Sequence, residues 1–365
     1  MRNIGNNIMI KVNDINVSYN DEGHEESPII IFIHGFPLNK SMWDNQVESL
    51  KNHYRVIAYD IRGHGNTDLG AIDFSIDLFV NDLLTFMDVL KIEKSIICGL
   101  SMGGYIALNA IENHPERFTA LILSDTSCTA DSPEAKEKRM IAIESIKENG
   151  VEKLADGLIP NLFADESFKR NLKEIQNARE MIVKTSMQSL HHSLHALADR
   201  KETCVKLSEI KVPVLIIVGK EDKITPPDTA RFMQSNIKRS LLSIIEHSGH
   251  LSNLENPYEF NYQLTKFMAS VNQGSNKIKK VFEEQSTNKK VNFDQIEKDL
   301  NSKILEITII IKNKYPELLK YLDEMPATIP AEKNPEITLK NLSAYYDSLN
   351  AVLNKYKLEH PNLEN

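Results

Sequence analysis

The chain has 365 residues, with 43 Lys and Arg against 51 Asp and Glu, so its formal charge is −8, and 41% of its residues are hydrophobic. This composition is typical of a globular protein with room for one large domain and a smaller second one. The acidic balance argues against a nucleic-acid partner, because phosphate binding relies on basic side chains. No apolar run approaches the roughly 20 residues that a membrane helix needs, so we expect no membrane partner.

The N-terminus and the cysteines predict a reducing compartment. Residues 1–11 are rich in Asn and contain no apolar run of signal-peptide length, which predicts a cytoplasmic location. Cys98, Cys128 and Cys204 are odd in number and lie far apart, without a CxxC or CxxH grouping. This spacing argues against a disulfide framework and a zinc site, and predicts free thiols.

The apolar pattern of the first 270 or so residues alternates between short runs and helical segments. Residues 8–11 and 16–19, joined through Asn13 and Asp14, predict an antiparallel hairpin at the edge of a sheet. The continuous apolar runs that follow are typical of parallel strands buried on both faces: 29–33, 56–59, 95–98, 120–123 and 214–218. Helical patterns lie between them, at 74–90 and 102–113. The predicted fold class is α/β, with a doubly wound, mostly parallel sheet.

One segment, from about residue 132 to residue 203, has a helical pattern and no strand pattern. An insertion of this size on the carboxyl side of a strand lies over the crevice where α/β proteins bind ligands. The pattern therefore predicts a helical cap over the active site. Its apolar residues either line an acyl pocket or only anchor the cap: Met140, Leu158, Leu162, Phe163, Met187 and Leu194.

The strongest local motif is Gly99-Leu100-Ser101-Met102-Gly103, which follows an apolar strand and opens a helix. It is the G-x-S-x-G pattern in the strand-turn-helix context that an exposed nucleophile requires. The flanking glycines relieve crowding at a tight turn, and the N-terminus of the helix stabilises negative charge beside the serine. Ser101 is the predicted nucleophile.

A serine hydroxyl needs a base, and the base needs an orienting acid. Asp222 follows the strand at 214–218, and His250 lies in a loop after the apolar run 241–245. The resulting order of serine, aspartate and histidine favours Asp222 as the acid and His250 as the base. The alternatives are His247 as the base and Asp125 or Glu221 as the acid.

An oxyanion needs preorganised N–H donors. The turn His34-Gly35-Phe36-Pro37 directly follows the strand at 29–33, and the Phe36 amide is available there. The second predicted donor is the amide of Met102, just after the nucleophile. We interpret His34 as a structural hydrogen-bonding residue, since the base is already placed.

These motifs, in this order, resemble the α/β-hydrolase fold family, and within it small carboxylesterases and 3-oxoadipate enol-lactonase-like enzymes. The resemblance spans roughly residues 8–270 and also includes Trp43, Gln46, the segment 60–65 and the segment 249–257. It implies the same nucleophile, base, acid and oxyanion donors, without a cofactor. It also implies that Asp60, Arg62, Gly63 and His64 form a structural turn.

The resemblance implies hydrolysis of small-molecule carboxylic esters or lactones through an acyl-enzyme. A serine at position 101 argues against the related haloalkane dehalogenases and epoxide hydrolases, which use an aspartate. Three alternatives stay open at this point: a C–C bond hydrolase, a perhydrolase, and a non-catalytic ligand-binding or signalling protein on the same scaffold.

The predicted cap carries three histidines close together, at His191, His192 and His195. His191 and His195 are four residues apart on one side of a helix, which is a spacing that a metal can use. No acidic residue accompanies them at ligand spacing, and serine acyl transfer needs no metal. We therefore expect histidines that contact solvent or substrate, and no metal site.

The composition changes after residue 271, and the predicted organisation is a hydrolase domain at 1–271, a linker at 272–292 and an all-α, hairpin-like extension at 293–365. Two apolar stripes recur there at steps of three or four residues. They are Phe293, Ile296, Leu300, Ile304, Ile307 and Ile311, and Leu339, Leu342, Tyr346, Leu349, Leu353 and Tyr356. Asn334-Pro335-Glu336 predicts a helix start between them. The stripes either pack within this chain or provide self-association or a protein partner.

Overall fold

The computed structural model describes residues 4–71, 73–272 and 293–319, and six residues between 345 and 356. The chain divides into two compact units, Met1–Ser286 and Thr287–Asn365. The domain boundaries predicted at residues 271 and 293 stay predictions, and the predicted linker lies outside the described residues except for Asn272.

An eight-stranded sheet forms the centre of the first unit, with the strand order β1-β2-β4-β3-β5-β6-β7-β8. The strands are β1 (Gly5–Val12), β2 (Ile15–Glu22), β3 (Ile29–Ile33), β4 (Arg55–Tyr59), β5 (Ser95–Leu100), β6 (Phe118–Ser124), β7 (Val214–Gly219) and β8 (Ser240–Ile245). The predicted hairpin of β1 and β2 is present, and β2 also pairs antiparallel with β4. The pairs from β3 and β4 onward are parallel, which confirms the mostly parallel sheet.

Helices cover both faces of this sheet. They are α1 (Asp44–Leu50), α2 (Ile76–Val89), α3 (Met102–Asn113), α4 (Pro133–Leu162), α5 (Ser167–Arg170), α6 (Leu172–Lys184), α7 (Met187–Ala198), α8 (Pro227–Asn236), α9 (Ser252–Glu255) and α10 (Pro257–Asn272). Short 3-10 helices lie at Lys40–Trp43, Pro115–Arg117 and Cys204–Glu209. Serine side chains cap several starts; the Ser75 hydroxyl, for example, accepts a hydrogen bond from Leu78 N.

The core has two layers because the parallel strands bury side chains on both faces. On one face α2, α3 and α8 pack on the sheet. On the other, α1 and α10 pack on it together with parts of the cap. Trp43 is fully buried in this second layer, and its ring centroid lies 4.7 Å from that of Phe32 and 6.1 Å from that of Phe260.

The predicted cap is present between β6 and β7, where residues 125–213 form helices and loops and no strand. Helix α4 is broken at Gly150, whose backbone has φ 80 and ψ 178, so it packs as two segments. Ile143 and Ile146 of its first segment form an apolar cluster with Leu190 and Leu194 of α7. These contacts join the first and the last of the four cap helices.

The prediction of free thiols is wrong for two of the three cysteines. Cys128 and Cys204 form a disulfide, with their Cα atoms 4.8 Å apart, and only Cys98 is free and buried. The two residues lie far apart in sequence, but the chain leaves the sheet for the cap and returns from it at neighbouring points. Thr203 N donates a hydrogen bond of 2.9 Å to Cys128 O at this crossing.

The described part of the second unit begins with helix α11 (Phe293–Lys314), followed by a 3-10 turn at Pro316–Leu318. Ile307 and Ile311, from the predicted apolar stripe, pack against Leu349 and Leu353 of the second stripe. The predicted helix start at 334–336 lies outside the described residues. Across the parts of the chain that are described, no helix is long and apolar enough to cross a membrane.

Candidate active site

Ser101 occupies a strained turn between β5 and α3. Its backbone angles are φ 53 and ψ −114, a region that residues other than glycine rarely adopt. The turn closes only because its neighbours lack side chains: a Cβ on Gly99 would lie 2.1 Å from Gly103 O, and one on Gly103 would lie 2.3 Å from Ile33 O. The serine is therefore held at the carboxyl edge of the sheet, where it remains partly exposed.

The predicted oxyanion turn lies beside this serine. Strand β3 pairs with β4 on one side and β5 on the other, so the strand order reverses here and opens a crevice at the carboxyl ends. Gly35, just after β3, approaches so closely that a Cβ on it would lie 3.3 Å from Ser101 Cβ. Phe36 directly follows Gly35, so its amide lies one residue from a close neighbour of Ser101.

Both predicted oxyanion donors are free of protein partners. Within the described parts of the chain, neither the Phe36 amide nor the Met102 amide donates a hydrogen bond to a protein atom. Met102 is the first residue of α3, and the first N–H groups of a helix have no partner inside it. The positive end of the helix dipole adds to the attraction for an anion at this point.

Asp222 and His250 form a buried hydrogen-bonded pair. The distance from His250 Nδ1 to Asp222 Oδ2 is 2.8 Å, and both side chains are at most 3% exposed. Asp222 Oδ1 accepts from the amides of Ile224 and Thr225 at 2.8 and 2.9 Å, and Oδ2 also accepts from the Thr225 hydroxyl at 2.7 Å. These four contacts fix the carboxylate and leave His250 Nε2 as the basic nitrogen.

The pair also tunes its own protonation. Burial lowers the pKa of His250, but the negative charge and hydrogen bond of Asp222 outweigh burial and raise the pKa above its ordinary value. Burial raises the pKa of Asp222, yet the charge of His250 and the hydrogen bonds from His250 and Thr225 bring it below its ordinary value. Asp222 is therefore ionised wherever His250 acts as a base.

The alternative acids and base have other partners. Asp125 follows β6 and accepts from Gly219 N at 2.8 Å, from the Ser124 hydroxyl at 2.7 Å and from the Ser252 hydroxyl at 2.6 Å. Burial, followed by repulsion from Asp222, raises the pKa of Asp125 to about 7. The rival base, His247, lies 3.0 Å from Glu166 at a partly exposed position. For Glu221, the third alternative, the contact is made by the backbone: its amide donates to Ser248 O at 2.9 Å.

The cap contacts the same loops that carry these residues. Phe36 packs against the cluster of Ile143, Ile146, Leu190 and Leu194. Leu162 O accepts from His250 N at 2.9 Å. Of the apolar cap residues, Leu162, Phe163 and Leu194 are buried and anchor the cap, Leu158 is partly buried, and Met140 and Met187 are 36% and 55% exposed.

Sequence reasoning missed one acid that supports the histidine loop. Buried Glu255 accepts from Gly249 N at 2.7 Å with Oε1, and from Ala164 N at 2.7 Å and the Ser167 hydroxyl at 2.6 Å with Oε2. Burial raises the pKa of this carboxyl, while the hydrogen bonds oppose the shift. The only signal in the sequence was its place in the segment 249–257, five residues after His250.

His34 is held inside the fold. Its Nε2 accepts from Ile61 N at 2.9 Å, so the ring is neutral and Nδ1 is left to donate to Gly35 O at 3.0 Å. Burial lowers its pKa well below the ordinary value. This geometry agrees with a structural role and ties the oxyanion turn to the loop after β4.

That loop is itself fixed by ion pairs that are buried or partly buried. Arg62 contacts Asp82 at 2.7 Å and Asp14 at 2.8 Å, and Asp60 contacts Lys40 at 2.7 Å. These contacts agree with the structural turn that the resemblance implied.

The cap histidines gather no metal-binding set. The rings of His191 and His195 have centroids 4.7 Å apart, and His192 Nδ1 lies 3.2 Å from Asp73 Oδ1. Among the described residues no group of three or more His, Cys, Asp and Glu side chains could hold a metal ion.

Known proteins resemble this chain in sequence and fold. A family model described as the alpha/beta hydrolase fold matches residues 28–257. A 3-oxoadipate enol-lactonase of Acinetobacter baylyi is 31% identical over 249 residues, which cover 68% of this chain and 91% of that protein. A thermophilic esterase from Thermogutta terrifontis superimposes with a TM-score of 0.69 at 29% identity, and the match covers 72% of this chain and 98% of the esterase. The enol-lactonase from Burkholderia xenovorans gives a TM-score of 0.68 at 27% identity, covering 72% and 100%.

Proposed function

Because the chain belongs to the α/β-hydrolase fold family and is a hydrolase, we propose that it cleaves carboxylic ester or lactone bonds of small molecules with Ser101 as nucleophile. The observation that carries the proposal is the 2.8 Å hydrogen bond between Asp222 and His250, formed at the sheet edge that also presents the strained serine. A buried, oriented imidazole and a serine at such a turn, on the same edge of the sheet, are the groups that serine acyl transfer requires.

The reaction follows from these groups. His250 Nε2 takes the proton of Ser101 as its Oγ attacks the carbonyl carbon, and Asp222 stabilises the imidazolium that forms. The amides of Phe36 and Met102 bind the oxyanion of the tetrahedral intermediate. His250 then protonates the leaving alkoxide, which stays attached to the acyl group when the substrate is a lactone. Water, deprotonated by His250, attacks the acyl-enzyme and releases Ser101.

The substrate class is proposed from the chemistry and supported by the relatives. Two relatives reported above are called enol-lactonases, and one structural neighbour is an esterase. Both groups cleave an acyl–oxygen bond, which needs the nucleophile, base and oxyanion donors assembled here and no cofactor. A small ester or lactone is therefore the partner that we propose for the crevice under the cap.

Covalent labelling of Ser101 tests the proposal. We would treat wild type and Ser101→Ala with a fluorophosphonate probe and follow p-nitrophenyl acetate hydrolysis in parallel. Ser127→Ala is a matched control, because Ser127 lies in the nearby loop after β6 and its hydroxyl lies 3.1 Å from that of Thr129. Labelling and turnover should disappear in Ser101→Ala and persist in the control.

A well-folded wild type that neither labels nor turns over would refute the hydrolase mechanism and favour a ligand-binding role. The base is tested in the same way, with His250→Gln expected to abolish turnover and His247→Gln expected to retain it. Turnover that appears only with a carbon–carbon substrate, or only with peroxide, would transfer the proposal to the C–C hydrolase or perhydrolase alternative.

Location and assembly stay proposals. We propose a cytoplasmic location, and in such a reducing compartment the Cys128–Cys204 disulfide would exist only transiently. Self-association or a protein partner through the C-terminal helices is tested by light scattering of the full chain, where a mass above 41.5 kDa supports it.

A further inference from the structure

The disulfide closes the neck of the cap, which we define as residues 125–131 on the way out and 199–204 on the way back. Cys128 lies four residues after β6 ends at Ser124, and Cys204 lies six residues after α7 ends at Ala198. All four cap helices lie between the two cysteines. The bond therefore ties together the two ends of the cap and no other pair of elements.

The neck also contacts the predicted nucleophile turn. The Thr126 hydroxyl donates to Ser101 O at 2.8 Å. The Arg200 guanidinium lies 4.3 Å from the ring centroid of Tyr105, and the Tyr105 amide donates to Ser101 O at 3.1 Å. Arg200 Nε donates in turn to Thr129 O at 3.2 Å. The neck is thus connected to the turn directly through Thr126 and indirectly through Arg200 and Tyr105.

The neck has enough other bonds to survive loss of the disulfide. Asp131 pairs with Arg139 and with Arg200, the latter at 2.6 Å, and Thr203 N donates to Cys128 O at 2.9 Å. These contacts are non-covalent and reversible. Reduction should therefore loosen the cap on the sheet without unfolding it.

A cavity gives access to the buried sulfur. Cys128 is only 3% exposed, but it lines a cavity of about 50 Å³ beside the neck. The exposed residues Asp77 and Lys201 also line this cavity, so it opens to the surface. The charged residues of the lining balance one another, so the cavity prefers neither an anionic nor a cationic thiol. They are Asp77, Asp199, Arg200 and Lys201. A cavity of this volume has room for a thiol of only a few non-hydrogen atoms, such as 2-mercaptoethanol, and excludes a folded protein.

We propose that Cys128–Cys204 is a reversible thiol-exchange site through which small thiols control how firmly the cap is held over the active site. A thiolate attacks Sγ of Cys128, and the electron pair of the broken S–S bond leaves on Cys204 Sγ, which is then protonated. A second thiolate attacks the external sulfur of the mixed disulfide and releases Cys128 as a thiolate. In total, two external thiols are oxidised to one disulfide while the protein disulfide is reduced to two thiols.

The consequence for catalysis rests on the proposed function. The cap packs on Phe36 and on the loop of His250, so a looser cap weakens binding of a substrate that contacts it. For an ester with a bulky acyl chain we expect KM to rise roughly five- to tenfold on reduction. For p-nitrophenyl acetate, whose acyl group has only two carbons, kcat should change less than about twofold.

The experiment compares oxidised full-length protein with the same protein treated natively with 2-mercaptoethanol. A thiol reagent should count no native thiol before treatment and two after it, since Cys98 is fully buried and does not react. Hydrogen exchange measured by mass spectrometry should quicken in α4–α7 and stay unchanged in β3, β5 and β6. The Cys128→Ser/Cys204→Ser double variant should match the reduced wild type and ignore the thiol.

Two results would overturn the inference: a disulfide that 2-mercaptoethanol leaves intact under native conditions, or a reduced protein with unchanged cap exchange and unchanged KM. Should the double variant fail to fold, the treated wild type alone decides between these outcomes. If neither redox state hydrolyses any ester, the proposed function fails, and hydrogen exchange in the cap then decides this inference by itself.

Discussion

Replacing Asp222 with Asn should lower kcat by about three to four orders of magnitude without disrupting the fold, a loss of about 4–5.5 kcal/mol of transition-state stabilisation. The structure decides how the new side chain is oriented. Asp222 Oδ1 accepts from two backbone amides, at Ile224 and Thr225, so the carbonyl oxygen of Asn must take that place. The amide nitrogen of Asn then takes the place of Oδ2 and points at His250 Nδ1.

This orientation reverses the tautomer of the histidine. Because the Asn nitrogen donates, His250 Nδ1 has to accept, and the ring proton moves to Nε2. Nε2 is the atom that must take the proton of Ser101, so the base is lost while the packing is kept. The Thr225 hydroxyl can rotate to accept from the new amide, which limits the cost to stability.

The assay is the pH dependence of kcat and kcat/KM for a p-nitrophenyl ester, with Asp125→Asn as the matched control. In wild type, kcat/KM falls as the pH drops through the pKa of His250, which Asp222 holds above its ordinary value. In Asp222→Asn the fall in residual activity should occur at a lower pH than in wild type, because the charge that raises the pKa of His250 is gone. Loss of activity in Asp125→Asn with retention in Asp222→Asn would refute the assignment and make Asp125 the acid.

Three further substitutions test the surroundings of the site. Asp125→Asn should stabilise the protein at about pH 8 but hardly at about pH 4. The pKa of Asp125 in the folded protein, about 7, lies above its value in the unfolded chain, so wild-type stability falls as the pH rises from the unfolded pKa to the folded one. Urea titration at both pH values measures the free energy of unfolding, and an equal effect of the substitution at both would contradict a buried acid. Gly103→Ala should yield insoluble or unfolded protein, since its Cβ would lie 2.3 Å from Ile33 O, and a soluble variant with wild-type melting would disprove this close approach. Glu255→Gln should lower the free energy of unfolding by about 1–3 kcal/mol, because the amide of either Gly249 or Ala164 must then face an NH₂ group. An unchanged urea midpoint would show that the histidine loop does not depend on the Glu255 carboxylate.

The sequence predicted the sheet well because its strands have an unusual composition. Strands covered on both faces need continuous apolar runs, and the five runs from 29–33 to 214–218 each fall within one observed strand. Helix α3 was predicted to the residue, at Met102–Asn113, since the serine turn fixes its start and His114-Pro115 ends it. Such signals are local, so they are visible in the sequence without knowledge of the fold.

For the candidate site, the sequence predicted what depends on the order of residues along the chain, but not the contacts that support them. The order of serine, aspartate and histidine pointed to Asp222 and His250, which the structure joins by a hydrogen bond. The supporting contacts of Asp125 and Glu255 depend on partners far away in the chain, such as Ser252 and Ala164. Neither residue differs in its local pattern from an ordinary acid in a loop, so only the fold identifies it as buried.

The disulfide shows where cysteine spacing fails and what would replace it. The two cysteines are separated by 76 residues, and counting them as an isolated pair gave no reason to join them. The same sequence, however, predicted a cap inserted between two strands, at about 132–203, and an insertion of this kind leaves and returns at neighbouring points. Cys128 and Cys204 lie just outside its two ends. Cysteines that bracket a predicted insertion are therefore close in space whatever their separation in sequence, and the bond between them acts on the inserted part as a whole.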